Sequence, residues 1–372
     1  MRPDTVPRML DLLWWVGYCG DFPVCLAKRI NGHEEWNRHV MYEAIRKGYL
    51  EVYRAGKKRQ RVIRSLRITE SGLDYVGERD ADRYNLILAR QALLAREHMN
   101  PNKLQRSHAI AHGLIMANAV GAVILPSEKP SLLSKGYGNH AAFDPNATYY
   151  YPSWELRTAL QELESETLPK TSRVIGVLIR EETLYFLYYT GLSRMYWRQS
   201  EELNVIAAIR TLLSARGFRS DLKSQVVIGH GFEPAKKIAR QGINAKSRYL
   251  CITTDFNNCY YVTDDAAGDR LLRSIVDPEA RKAANDHALN GYCFPKQSMR
   301  SYDALTPDTA QPVILCYPFD LNALLLLNKE PFGYPAQPVL LCYDYQADAI
   351  QDIVGPAIEV RIIQGGQNET AK

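Results

Sequence analysis

The sequence has no C-x-x-C pair, and its seven cysteines lie scattered among apolar residues. An odd total without metal-ligand spacing argues against a disulfide framework and against the common zinc motifs. We therefore expect reduced cysteines in the core of a cytosolic protein. The seven are Cys19, Cys25, Cys251, Cys259, Cys293, Cys316 and Cys342.

Long apolar runs are also missing. The most apolar window, 109–125, is shorter than a membrane span and contains His112 and Asn118, so it predicts a buried helix. The N-terminal stretch carries Asp4 and Asp11 and has no small-residue cleavage site, which argues against a signal peptide. We expect a cytoplasmic protein that does not bind membranes.

Motifs for cofactors are absent as well. There is no G-x-x-x-x-G-K loop, no Ser-His-Asp set and no zinc pattern, and GHGFEP near Gly229 lacks the spacing of a dinucleotide fingerprint. We expect no cofactor, with Mg²⁺ required only if the protein is a nuclease.

The chain has 372 residues, of which 46% are hydrophobic, and this is enough to bury two cores. The net charge of +5 is modest for this length. Affinity for nucleic acid must therefore come from a local basic patch.

The N-terminal residues 1–80 predict three helices followed by a β-hairpin. Apolar spacing predicts helices over 8–18 and 34–47, and Asp21 as an N-cap followed by Pro23 near the first turn predicts one over about 22–30. From Gly48 the pattern alternates, turns at AGKKRQ and alternates again, and Thr69 is a plausible N-cap for a short closing helix. Between residues 54 and 67 there is no acidic residue and there are seven basic ones, Arg54, Lys57, Lys58, Arg59, Arg61, Arg64 and Arg67.

This order, with KGYLEVYRAGKKRQRVIRSLRITESGLDYV, resembles winged helix-turn-helix transcriptional regulators over about residues 8–78. The resemblance implies that the third helix enters the major groove of duplex DNA while the wing contacts the backbone. The outer face of that helix includes Arg46. The implied base-reading residues are Asn37, Arg38 and Tyr42, and the implied phosphate contacts are Lys57, Lys58, Arg59 and Arg61, with Arg64 on the adjoining strand.

The alternative is a winged helix that contacts proteins, with the basic turn merely solvated. Glu34, Glu35 and Glu43 lie on or beside the third helix and favour this alternative, because carboxylates are repelled by phosphates.

Residues 81–125 predict a helical connector of two helices, 81–98 and 103–125, and residues 126–148 predict a linker. Helices that flank a winged helix often form a dimer, although these helices could instead pack on the second domain. His108 and His112 share a face, but without nearby acidic or cysteine ligands a core or interface role is favoured over a metal site.

Residues 149–372 alternate short apolar runs with helical stretches and predict an α/β domain with a mixed sheet, which makes the chain α+β overall. A weak repeat at an offset of 26 residues, PVILCYPFDLNAL from Pro312 and PVLLCYDYQADAI from Pro338, predicts two adjacent parallel strands. Asp320, Asp344 and Gln346 follow these strands, and Asp255 follows a predicted strand YLCITT. The carboxylates either bind a ligand at the strand ends or cap the next helices.

A nuclease hypothesis adds Glu155 of YYYPSWELR, which resembles the E-x-K element of restriction-endonuclease-like folds with Arg157 in place of lysine. Magnesium would require Glu155 together with Asp255, Asp320 or Asp344, and arginine does not shuttle protons. The same segment is equally the start of a helix with Ser153 as its N-cap.

The layout as a whole is similar to the replication-relaxation family of plasmids and conjugative elements, through ARQALLAREHMNPNKLQRSHAIAHGL, YYYPSWELR and VLLCYDYQ. The resemblance implies a nuclease-like α/β domain and a DNA-binding role in replication, transfer or regulation, with protein partners. Our first hypothesis is a non-catalytic protein that binds duplex DNA. The alternatives are a magnesium-dependent nicking enzyme and a ligand-responsive transcription regulator.

Overall fold

A computed structural model describes residues 5–56, 62–92, 101–133, 141–162, 172–192, 195–220, 222–244, 246–294, 302–329 and 337–364. The chain divides into two compact units, Met1–Ile115 and Met116–Lys372. Both units combine helices with sheets, so the predicted α+β class is confirmed.

The first unit packs helices around a three-stranded antiparallel sheet with the order β1, β3, β2. Its first helix buries Met9, Leu12, Leu13 and Val16, which lie at helical spacing and form one apolar stripe. Thr69 caps the short helix Glu70–Gly77 as expected, accepting a hydrogen bond from the Gly72 amide. The elements are α1 (Thr5–Cys19), β1 (Phe22–Pro23), α2 (Glu34–Arg46), β2 (Leu50–Ala55), β3 (Ile63–Ile68), α3 (Glu70–Gly77), α4 (Ala81–Ala92) and α5 (Pro101–Ala119).

The predicted α-helix over about 22–30 is wrong. Phe22 and Pro23 instead pair with Leu66 and Ser65 of β3, and a 3₁₀ helix follows over Val24–Gly32. A residue before proline is biased toward extended backbone, and Phe22 buries its whole ring in that conformation. Asp21 forms an ion pair with Arg67 of β3, whereas we expected it to cap a helix.

The second unit contains a five-stranded mixed sheet with the order β4, β5, β6, β7, β8. The strands β4, β5 and β6 are antiparallel neighbours, whereas β6, β7 and β8 run parallel. The elements are β4 (Tyr149–Pro152), α6 (Ser153–Glu162), β5 (Gly176–Arg180), β6 (Thr183–Gly191), α7 (Gln199–Ala215), β7 (Leu222–Gly229), α8 (Glu233–Ala239), β8 (Asn258–Thr263), α9 (Ala266–Val276) and α10 (Pro278–Ala288).

A second mixed sheet, with the order β12, β11, β10, β9, holds the internal repeat. Val313 pairs with Val339 in parallel, which is the 26-residue offset of the repeat, so the predicted pair of adjacent strands is confirmed. Gln346 is buried and joins the two repeat units, because its amide donates to the Tyr317 carbonyl. The elements are β9 (Ala304–Leu305), β10 (Pro312–Leu315), α11 (Leu321–Lys329), β11 (Val339–Cys342), α12 (Ala347–Val354) and β12 (Glu359–Ile362).

The predicted strand YLCITT is not part of either sheet. Tyr249 and Ile252 form only isolated bridges, to Tyr196 and Ile243. The place beside β7 is taken by β8, so this apolar segment is buried without a ladder.

The division between the units falls inside α5, earlier than the predicted linker over 126–148. Val123 exchanges backbone hydrogen bonds with Thr148 and Tyr150, and this places the segment against the edge of β4. The described residues of 126–148 therefore belong to the second unit.

Five of the seven cysteines are buried as expected, but Cys25 and Cys293 are exposed. Burial raises the pKa of Cys19 and of Cys342 to about 12, because the thiolate is disfavoured away from water. Among the described residues, no helix is long and apolar enough to cross a membrane.

Candidate nucleic-acid interface

Helix α2 has one buried and one exposed face. Val40, Met41 and Ala44 are buried, while Arg38, Tyr42 and Arg46 lie on the exposed side. The ring of Tyr42 is 62% exposed, which is unusual for a large aromatic side chain. The outer face thus offers two guanidinium groups and a phenol ring to a partner.

Two of the three acidic residues of α2, Glu34 and Glu43, are paired with neighbouring cations, whereas Glu35 is exposed. Lys28 Nζ lies 2.7 Å from Glu34 Oε1, and Lys47 Nζ lies 2.9 Å from Glu43 Oε1. The hydrogen bond and charge of Lys28 lower the pKa of Glu34, so this carboxyl stays ionised within a pair. The repulsion that these carboxylates exert on a phosphate is therefore weaker than the sequence indicates.

Asn37 is not part of the exposed face, so the prediction that it reads bases is wrong. Its side chain is 7% exposed, and its amide donates to the carbonyl oxygens of Lys28 and Ile30. The sequence could not indicate this, because the carbonyls belong to a 3₁₀ helix that replaces the expected α-helix. Asn37 therefore fixes α2 to the segment before it.

This role predicts that Asn37→Ala lowers the free energy of unfolding by about 1–3 kcal/mol, because the buried hydrogen bond to the Ile30 carbonyl and the part-buried one to the Lys28 carbonyl are lost. Chemical denaturation of the whole protein measures the change. Arg38→Ala, one position along on the exposed side, is the control and should stay within about 0.5 kcal/mol of wild type. Equal stability of the two variants would contradict the structural role.

The β2–β3 hairpin places two arginines side by side. Arg54 and Arg64 occupy directly opposite positions in the antiparallel ladder, and both are exposed. Like charges at opposite positions destabilise a strand pair, and an anion bound between them would reduce this repulsion. The predicted contacts Lys57, Lys58, Arg59 and Arg61 lie between β2 and β3 in the sequence, outside the described residues.

Arg67 belongs to the same basic run but is turned away from solvent. Its Nε lies 2.6 Å from Asp21 Oδ1, and its guanidinium stacks 3.7 Å from the Tyr53 ring centroid. Asp21 is nearly buried, so this contact ties the hairpin to the residues before α2. Sequence reasoning missed the pair because the two residues are 46 positions apart.

The two histidines of α5 do not form a metal site among the described residues. His108 Nε2 lies 2.7 Å from the hydroxyl oxygen of Ser65, a fully buried residue of β3. Burial lowers the pKa of His108 to about 4, so the ring is neutral near pH 7. His112 is buried on the same helix, in agreement with the core role that we favoured.

The carboxylates of the nuclease hypothesis lie in different places. Glu155, in the first turn of α6, contacts Lys129, whereas Asp255 accepts a hydrogen bond from Gln199 before β8. Asp320 accepts from the Cys259 amide and caps the Asn322 amide, and Asp344 is exposed in a short 3₁₀ helix after β11. In the part of the chain that the structure describes, no three acidic, histidine or cysteine residues form a group that could hold a metal.

Glu155 does have a lysine beside it, but the lysine comes from the segment predicted as a linker. Lys129 is 1% exposed, its Nζ lies 2.7 Å from Glu155 Oε2, and it also donates to the Tyr150 carbonyl. The ammonium lies 4.6 Å from the centroid of the Tyr151 ring. The arrangement is a buried ion pair, and no signal in the sequence links these two positions.

Comparison with models of protein families, with curated proteins and with solved structures gives no match for this chain. Its function is therefore inferred from its own residues and their geometry.

Proposed function

We propose that the first unit binds double-stranded DNA as a winged helix does, with α2 as the recognition helix and the β2–β3 hairpin as the wing. The observation that carries the proposal is the exposed cross-strand pair of Arg54 and Arg64, and the sequence places four further basic residues between them. Lysine and arginine side chains that contact phosphates release condensed counterions and supply affinity independent of sequence.

The outer face of α2 supports a second set of contacts. Arg38, Tyr42 and Arg46 are exposed along one side, at the spacing of successive helical turns. Arginine pairs with guanine edges in the major groove, so Arg38 and Arg46 are the proposed base-reading residues. Tyr42 is proposed to contact a base or the sugar-phosphate backbone beside them.

We further propose that the protein acts in replication, transfer or regulation of a bacterial mobile element, without catalysis by the acidic residues that the sequence highlighted. Their separation supports a non-nuclease role for Glu155, Asp255, Asp320 and Asp344. The second unit then serves protein partners or a second copy of the chain.

The first test uses the tip of the wing. Wild-type protein and the variant with alanine at Lys57, Lys58, Arg59 and Arg61 are titrated into a fluorescent duplex, and anisotropy reports binding. The variant should lose almost all affinity, because each phosphate contact is worth roughly tenfold at about 0.1 M salt. Binding that is unchanged in this variant would exclude the wing as the phosphate-contacting element.

A further inference from the structure

Three side chains meet where three neighbouring parallel strands end in the second unit. Tyr189 lies near the end of β6, His230 follows β7 directly, and Asp264 follows β8 directly. Backbone hydrogen bonds hold the ends of the three strands in register, because the His230 amide donates to the Gly191 carbonyl and the Asp264 amide donates to the Gly229 carbonyl. The carboxyl ends of parallel strands are where open α/β sheets bind their ligands.

The carboxylate of Asp264 holds both of its neighbours. Its Oδ1 lies 3.0 Å from His230 Nδ1, and its Oδ2 accepts a hydrogen bond of 2.9 Å from the Tyr189 hydroxyl. A carboxylate only accepts hydrogen bonds, so Nδ1 carries the proton and Nε2 carries the lone pair in the neutral ring. Asp264 is 8% exposed and His230 is 67% exposed, so Nε2 is the nitrogen that a substrate can reach.

The backbone conformation on both sides of His230 is restricted by its neighbours. A side chain at Gly229 would collide with the hydroxyl groups of Tyr261 and Thr190, and Gly231 has a φ of +66°. The Tyr261 hydroxyl donates to the Gly231 carbonyl and fixes the far side of the turn. The backbone that carries the imidazole is therefore held in place by these contacts, although the ring itself lies at the surface.

We propose that Tyr189, Asp264 and His230 form a general-base site that hydrolyses an acyl ester. His230 is the catalytic residue, and Asp264 and Tyr189 are positioning residues that act through it. A base oriented by a buried carboxylate is the arrangement that proton-transfer catalysis requires.

The reaction needs only water. Nε2 takes a proton from water while the water oxygen forms a bond to the acyl carbon, and the π electron pair of the carbonyl moves onto the carbonyl oxygen. The imidazolium is stabilised by Asp264. The carbonyl bond then re-forms as the bond from carbon to the alcohol oxygen breaks, and the imidazolium returns the proton to the alcohol oxygen. The products are a carboxylic acid and an alcohol, and the neutral imidazole is restored.

The surroundings favour an acyl centre over a phosphodiester. Asp264 and Asp265 place two adjacent carboxylates beside His230, and this disfavours a polyanion. Glu233 adds little to the repulsion, because its Oε1 lies 3.6 Å from Lys236 Nζ.

Phe232 is two residues from the base and stacks on Phe319 at 5.0 Å and on Tyr345 at 6.2 Å. Phe319 is fully buried, so the accessible aromatic surface consists of the half-buried Phe232 and of Tyr345, which is 40% exposed. This surface suits the apolar part of an acyl group.

The site is open. A small-molecule pocket encloses most of its ligand, whereas the base here projects from the surface. An ester therefore reaches Nε2 without entering a pocket, whatever the size of the molecule that carries it.

The test measures hydrolysis of p-nitrophenyl butyrate by the full chain, with His287→Ala as the matched control. His287 is also exposed, on α10 of the same unit. We expect the second-order rate to fall about a hundredfold in His230→Ala and His230→Gln, in line with the usual contribution of a general base, and to be unchanged in His287→Ala. A loss in the two His230 variants that is no larger than in the control would overturn the proposal.

Two further measurements separate positioning from folding and fix the substrate class. Nitrogen-15 spectroscopy of the wild type should show His230 protonated on Nδ1, and Asp264→Asn should change this tautomer and lower the rate while Asp264→Glu restores part of it. An unchanged tautomer in Asp264→Asn would show that Asp264 does not orient the His230 ring. Hydrolysis of bis-p-nitrophenyl phosphate that depends on His230 would contradict the acyl assignment.

Discussion

Arg54→Ala combined with Arg64→Ala is expected to weaken binding to duplex DNA about a hundredfold at about 0.1 M salt. Arg54 and Arg64 occupy opposite positions of the β2–β3 ladder, so the two side chains can each engage one of two adjacent phosphates. Each phosphate contact contributes a slope of about 0.9 to the dependence of log K on log salt, and the variant should therefore lose about 1.8 from the slope. Anisotropy titrations at several salt concentrations measure both quantities.

The matched control removes two exposed cations from the other unit. Arg273 of α9 and Lys282 of α10 are both exposed, so Arg273→Ala with Lys282→Ala causes the same change in net charge. Its affinity and slope should equal those of wild type. Equal losses in the two double variants would show that binding depends on net charge and not on the hairpin.

Glu155→Gln is expected to lower the free energy of unfolding by about 3 kcal/mol, because it leaves the Lys129 ammonium buried without its counter-ion. Lys129 keeps its hydrogen bond to the Tyr150 carbonyl and its contact with the Tyr151 ring, but neither carries a full negative charge. Denaturant unfolding measures the loss. The control is Glu359→Gln, which breaks a half-exposed pair with Arg361 and should cost about 0.5 kcal/mol or less.

Glu155→Gln should also change how the free energy of unfolding depends on pH. Burial lowers the pKa of Lys129 in the folded protein, and the Glu155 carboxylate opposes this shift. Loss of the carboxylate lowers the folded pKa further, so between that value and the ordinary lysine pKa the unfolded chain binds more protons than the folded chain. Stability then rises with pH in this window, and it should rise more in Glu155→Gln than in wild type. A parallel pH profile for the two proteins would contradict the buried ion pair.

Features set by local pattern were predictable from the sequence. The β2–β3 hairpin follows from alternation around a glycine-containing turn, and the parallel pairing of β10 with β11 follows from the repeat at Pro312 and Pro338. The Thr69 cap likewise depends on neighbours within one helical turn. In each case the residues that decide the structure are close in sequence or are related by a visible repeat.

Features set by distant contacts were not predictable. Phe22 and Pro23 extend because β3 offers a partner more than 40 positions away, and the resulting 3₁₀ helix buries Asn37. Lys129 lies in a segment rich in turn residues, and only the fold brings it to Glu155. The scattered acidic residues could not be assigned or rejected as a metal site until their partners were known.

The most direct test of DNA binding by the first unit is the salt dependence of wild-type affinity for a duplex of about 25 base pairs. Six basic residues of the wing, Arg54, Lys57, Lys58, Arg59, Arg61 and Arg64, predict a slope near −5 in a plot of log K against log salt, at about 0.9 for each phosphate contact. In the variant without these six charges, the slope should change from about −5 to near zero. A wild-type slope weaker than about −1, or affinity that survives in that variant, would contradict the account.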